Sequence, residues 1–188
     1  MASETAQLLQ VGLNSWIIAD GNYADFTVGE VRSFALEFYN EADLHPLPES
    51  QTACAYKSLG RARYAVEGQT VHLTPKWAVI DVGFLAYRAF HSFPPPPRRF
   101  EGEIWVGVDP FFYFETLSRE REAPPLIFDW RIHRIEVETA PRVLQDNMWI
   151  YDPDQLCLKD VEDTSQGEDF VLHCELLSAE PRHHFAAA

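Results

Sequence analysis

Apolar positions are densest between Lys76 and Arg88, in the run KWAVIDVGFLAYR. Ala78, Ile80, Val82 and Phe84 fall on one face of an extended chain; Trp77, Val79 and Leu85 fall on the other. Two apolar faces predict a strand covered on both sides, near the middle of the fold. Ile104 to Phe114 carries a similar pattern and is expected to share that core. Within it Glu101 to Asp109 reads as a strand, with Ile104, Val106 and Val108 opposite Trp105 and Gly107. Pro110 then ends the ladder or marks a bulge, and Phe111 to Phe114 resumes it.

The remaining chain alternates in the same two-residue period. Leu8 to Ala19 reads as one long strand or a strand pair, followed by an Asp20-Gly21-Asn22 turn and an ordered loop from Tyr23 to Glu30. Val31 to Tyr39 reads as a half-buried strand with Phe34, Leu36 and Phe38 inward. Thr52 to Val66 could line a helix with Ala53, Ala55, Leu59 and Ala62, but Tyr56, Tyr64 and the Gly60 break suit two short strands better. Glu67-Gly68-Gln69 reads as a turn before a short strand, Thr70 to Leu73. The four prolines of FPPPPRR, Phe93 to Arg99, favour an extended polyproline geometry and predict a stiff surface loop, with a docking motif as the other reading. Glu115 to Glu122 is compatible with two helical turns, stopped by Pro124-Pro125. Leu126 to Glu138 reads as a strand whose phase changes between Ile132 and Ile135, which predicts a bulge near Arg131 to Arg134. Met148 to Tyr151 is a short strand, Asp152-Pro153-Asp154 a turn, and Phe170 to Leu177 the last strand.

About eight strands, one or two short helices and no strand–helix–strand period make the expected fold mainly β. The expected architecture is a single antiparallel barrel or a two-layer sandwich; one version of the barrel has the oligonucleotide-binding shape with extensions. Residues 8–180 are expected to form one domain, with flexible termini at 1–7 and 181–188. At 46% hydrophobic and 13% aromatic, the chain has ample material for a core.

Charge narrows the partners. The formal net charge is −14, which argues against nucleic acid and anionic membranes and fits a basic protein partner or a small molecule. The acids concentrate at the two ends of the chain, around a neutral middle from 61 to 142. Self-association into a homodimer through a sheet face also fits. Cys54, Cys157 and Cys174 are odd in number and widely spaced, with no CxxC pair, so a reducing, cytoplasmic setting is expected. The start MASETAQLLQ lacks a basic region and a long apolar run, so no signal peptide is expected. No apolar run reaches the roughly 18 residues of a membrane helix.

The nucleotide-loop, zinc-protease and nucleophile-elbow motifs do not occur, and no cofactor is indicated. Asp81 stands inside an apolar strand, where a carboxylate costs several kcal/mol unless paired or protonated. The reading that costs least is an ion pair with an arginine of the middle region. The chemical reading makes Asp81 and His133 catalytic acid–base groups, with His173 as a further partner. Asp109 and Asp129 adjoin aromatic strands and could converge with Asp81. Asp20, Asn22, Tyr23 and Asp25 lie in DGNYAD, which starts like a calcium loop but fails at Ala24, Asp25 and Val31; the segment reads first as a structural turn with Tyr23 and Phe26 packed beneath it, and second as a candidate ligand lid. Trp105, Tyr113 and Arg131 complete the candidate ligand-binding set. If several tryptophans line one cavity with Tyr87, Tyr113 and arginines such as Arg88 or Arg131, a flat or acidic small molecule is expected. The function expected from these features is a non-enzymatic small-ligand-binding or protein-interaction domain. The alternative is an enzyme using carboxylate and histidine groups in a barrel cavity.

Overall fold

A computed structural model of the chain describes residues 8–40, 42–51, 53–90, 94–145, 148–151, 155–177 and 180–184. In chain order the elements are β1 (Leu9–Asn14), α1 (Ser15–Ala19), β2 (Val31–Phe34), β3 (Leu36–Tyr39), β4 (His45–Pro46), β5 (Ala55–Gly60), β6 (Arg63–Leu73), β7 (Trp77–Asp81), β8 (Leu85–Ala89) and β9 (Arg99–Val108), then α2 (Phe112–Glu115), β10 (Phe128–Thr139), β11 (Arg142–Gln145), β12 (Met148–Tyr151), β13 (Cys157–Val161) and β14 (Asp169–Leu176). The mainly β expectation holds, with two short helices, but they lie in segments read as strand. The segment read as two helical turns, Glu115 to Glu122, holds only the last residue of α2 and a single 3-10 turn at Leu117–Arg119. The expected turn at 152–154 and the termini at 1–7 and 185–188 lie outside the described residues.

Five strands close a barrel in the order β9–β3–β8–β7–β6 and back to β9. The pairings are antiparallel except between β3 and β8, which meet in parallel at Glu37 and Tyr87. Outside the barrel the same sheet continues as β1–β14–β10, with β2 and β13 sharing the far edge of β10, while β11 and β12 pair as a separate hairpin. Two seams join the β1–β14–β10 part to the barrel. β2 runs on into β3 through Ala35, whose carbonyl accepts a hydrogen bond from the Asp109 amide (3.0 Å). β1 meets β9 in parallel at the single pair Gly12 and Gly107. One core fills both halves, from Val11, Phe170 and Leu172 under the sheet to Phe38, Ile80 and Phe100 inside the barrel.

The doubly apolar run at 76–88 is not one strand. It folds back as the β7–β8 hairpin, with Asp81 opposite Leu85. Gly83 takes the left-handed φ of +99° that the turn requires, and its amide donates to Asp81 Oδ1 (2.9 Å). Both faces are apolar because both are covered. Ile80 and Ala86 enter the barrel core, while Trp77, Val79 and Tyr87 face outward under Tyr113, Leu117, Leu126 and Ile127. Burial on both sides erases the alternation that would have marked the turn.

Three further expectations change. β6 runs straight through Glu67-Gly68-Gln69; a Cβ on Gly68 would lie 2.5 Å from Val82 Cγ1 and 2.7 Å from the Asp81 carbonyl oxygen, so the glycine marks close packing and not a turn. The strand begun at Leu9 stops at Asn14, and Ser15–Ala19 is helical with Ile17 buried. Phe111 to Phe114 is not strand. After Pro110 the chain turns through Phe111 (φ +71°) into α2, with the Asp109 carboxylate accepting from the Tyr113 amide (3.1 Å). Two predicted breaks are present: the Gly60 split between β5 and β6, and the bulge in β10 between Ile132 and Arg134, which buries Trp130, Ile132, Ile135 and Val137 together. The proline run is a loop at 94–97, tied down by Arg88 donating to the Pro94 carbonyl (2.9 Å) and Thr70 to the Pro97 carbonyl (2.8 Å). Arg182, expected in a loose tail, is bonded to β10 through Asp129 (2.6 Å). Among the described residues no helix is long and apolar enough to cross a membrane.

The Gly68 contact is testable. Gly68→Ala should destabilise the protein by about 1–3 kcal/mol in urea unfolding, the usual cost of overpacking against backbone. An unchanged unfolding midpoint would contradict the close approach of β6 to the β7–β8 turn.

Candidate functional site

The registers align one row of residues across the outer face of seven strands: Tyr87, Glu37, Gly107, Gly12, Val171, Glu136 and Asp160. The middle of that row has no side chains, and Trp105 fills the gap. A Cβ on Gly12 would lie 2.0 Å from Trp105 Cζ2, and one on Gly107 would lie 2.3 Å from Trp105 Cη2. The indole therefore lies over both glycines, across the seam between β1 and β9. Tyr39, the register partner of Trp105 on β3, packs beside it with ring centroids 5.7 Å apart.

These rings form the floor of a half-open cleft of about 920 Å³, within the range of small-molecule sites. Trp16, on α1, projects from its rim and is 54% exposed. Arg61 and Arg63 come from the β5–β6 turn; Arg63 pairs with Glu103 (2.8 Å) and Arg61 donates to the Leu156 carbonyl (2.8 Å). Glu138, Asp169, Asp43 and His45 also line the cleft.

A buried acid–phenol cluster lies where the same row passes under α2. Asp109 is 1% exposed and accepts hydrogen bonds from the Tyr87 hydroxyl (2.5 Å) and the Tyr113 amide; the Tyr23 hydroxyl donates to its carbonyl (3.1 Å). Burial pushes the Asp109 carboxyl up to about 6, against the hydrogen bonds from Tyr87 and the α2 amides, which favour the charged form. Burial likewise pushes Glu37 up to about 7; the Asp109 charge adds to the rise and the Tyr39 hydroxyl opposes it.

Of the residues singled out in the sequence, Tyr23, Asp109 and Tyr113 meet in this cluster and Trp105 forms the cleft floor. The others go elsewhere. Asp81 caps the Gly83 turn. Asp129 is held by Arg182 and by the Ser33 hydroxyl (2.6 Å), and the Arg182 hydrogen bonds bring its carboxyl down to about 2. Asp81, Asp109 and Asp129 thus bind three separate partner sets and do not converge. His133 and Arg131 both face Glu175, at 2.8 and 3.8 Å, on the exposed side of β10, and His133 has no contact with Asp81. His173 pairs with Glu136 (2.6 Å). Asp20 accepts from the Asn22 amide and side chain (3.1 Å each), and Asp25 from the Thr164 hydroxyl (3.3 Å); none of the three lines the cleft. Among the described residues no group of three or more His, Cys, Asp or Glu is placed to hold a metal ion.

Glu37, Tyr39, Gly12 and the two arginines escaped the sequence reading. The glycines did leave a signal, because an isolated glycine inside a strand pattern marks close approach. No family model, curated protein or solved structure matches the chain.

The raised acids give stability a definite pH dependence. Glu37 and Asp109 hold protons more tightly in the folded chain than in the unfolded one. Their ionisation therefore opposes folding, and stability falls as pH rises from about 4 through about 7, then levels off. Glu37→Gln should flatten urea stability between pH 5 and pH 8, removing a slope on the order of 1–2 kcal/mol after allowance for its partial solvent contact. A variant that keeps the wild-type slope would show that Glu37 titrates normally.

Proposed function

We propose that the protein is a non-enzymatic binding module that holds a small, flat aromatic molecule in the cleft over Trp105. The observation that carries this reading is the indole laid across Gly12 and Gly107 at the floor of the cleft. A planar ring backed by glycine backbone offers an aromatic guest a rigid stacking surface with little rotamer freedom left to lose. Two residues that the sequence analysis associated with an acidic guest, Arg88 and Arg131, do not line this cleft.

The enzymatic alternative gains no support from the arrangement. Its two catalytic candidates lie on strands far apart in the sheet, Asp81 on β7 and His133 on β10 with β14, β1, β9, β3 and β8 between them, and the most perturbed acids, Glu37 and Asp109, are engaged inside the fold. A general acid or base must reach the proton it transfers.

Neutral indole is the simplest probe. It should bind the full chain saturably, with Kd on the order of millimolar as expected for so small a ligand. It should shift the Trp105 Nε1–H resonance in ¹⁵N-resolved NMR, the signal being identified by its loss in Trp105→Phe. Trp105→Ala should weaken binding at least about tenfold, by loss of the stacking surface. Indole that shifts other tryptophan signals while leaving Trp105 unmoved, or that binds Trp105→Ala as well as wild type, would overturn the assignment.

A further inference from the structure

The walls of the cleft say what the guest should carry, provided the binding reading above holds. Four carboxylates reach it (Asp43, Glu103, Glu138 and Asp169) against two guanidiniums (Arg61 and Arg63). The Arg63–Glu103 pair neutralises itself. Arg61 lies close enough to Glu138 to favour its charged form, while Asp169 disfavours it. Asp169 pairs with Asn14 through the β1–β14 ladder, has Glu168 as a like-charged neighbour, and its carboxylate makes no hydrogen bond or ion pair among the described residues. Counting Asp43, Glu138 and Asp169 against Arg61 leaves this cleft two charges negative, inside a chain of net charge −14. The protein's field therefore draws cations towards the cleft.

We infer that the molecule held over Trp105 is an aromatic cation, its ring on the indole and its ammonium or guanidinium group against Glu138 and Asp169. The registers set the spacing. Gly12 lies under the Trp105 ring, and Asn14, two residues along β1, is the register partner of Asp169. Two strand residues span about 7 Å, the reach of a ring bearing a two-carbon amine chain. The acids alone would mark only a solvated face. They gain a ligand here because they border an aromatic floor within one cavity, and because a bound cation would relieve the repulsion between Glu138 and Asp169. A neutral or anionic ring would leave that repulsion in place.

Three probes of one ring system separate the terms: indole, tryptamine and indole-3-acetate, titrated calorimetrically or by NMR against the full chain. Tryptamine should bind at least about tenfold tighter than indole, and indole-3-acetate weaker than indole. The tryptamine preference should shrink as salt is raised from about 50 to 500 mM, because the pair of acids is partly exposed. Asp169→Asn and Glu138→Gln should each lower the tryptamine-to-indole affinity ratio, and together bring it near one, with circular dichroism checking that each variant folds. Indole and tryptamine binding equally well, or a tryptamine preference that survives both substitutions, would overturn the cationic guest and leave the aromatic cleft standing. Failure of all three probes to bind would overturn both.

Discussion

The contact on which the architecture turns is the Trp105 indole resting on the backbone of Gly12 and Gly107. β1 joins the barrel through one residue pair, so this seam has little ladder hydrogen bonding of its own. An aromatic ring spanning both strands supplies the packing that the ladder lacks. It can do so only because neither strand carries a side chain there. The same substitution of ring for side chains leaves a broad trough on the outer face, and the trough is the cleft. Sheet closure and ligand surface are thus two consequences of one local choice, a tryptophan and two glycines brought together across three positions of the registers.

The buried acids belong to the other end of that face and do a different job. Asp109 gathers Tyr87 from the barrel, Tyr113 from α2 and, through its carbonyl, Tyr23 from the loop after α1. These contacts fix the chain that covers Trp77, Val79 and Tyr87. Leaving a carboxylate at 1% exposure is costly, and its raised affinity for protons expresses that cost. Glu37 is a second acid, pushed up first by burial and further by the Asp109 charge. Ionising the two acids weakens the fold as pH rises, and Tyr39, which bonds Glu37 and also lines the cleft, stands between them and the cleft.

What could be read from the chain beforehand was local. The strand at Glu101 to Asp109, the Gly60 break and the phase change in β10 each lie within a dozen residues, where periodicity and turn chemistry speak directly. The fold-back at Gly83 was hidden because burial on both faces of β7 and β8 removed the polar positions that mark a turn. Asp81 consequently looked like a buried charge when it caps that turn. The pairing of Asp129 with Arg182 spans 53 positions and draws on a segment that composition marks as a tail. Tyr23, Asp109 and Tyr113 were singled out for separate reasons and do meet, but their meeting depends on registers between distant strands. Gly12 and Gly107 were legible only as anomalies in their strands; that one tryptophan covers both is information the fold holds and the local pattern does not.

A double-mutant cycle between Gly12 and Trp105 tests this account at its root. Gly12→Ala, measured by urea unfolding, should cost about 1–3 kcal/mol in the wild-type background, because the new methyl occupies the space of the indole. In Trp105→Ala that space is free, and the same substitution should cost close to nothing, a coupling of at least about 1 kcal/mol. Equal costs in the two backgrounds would mean that the indole does not lie on Gly12, and the seam and the floor of the cleft would both need another explanation.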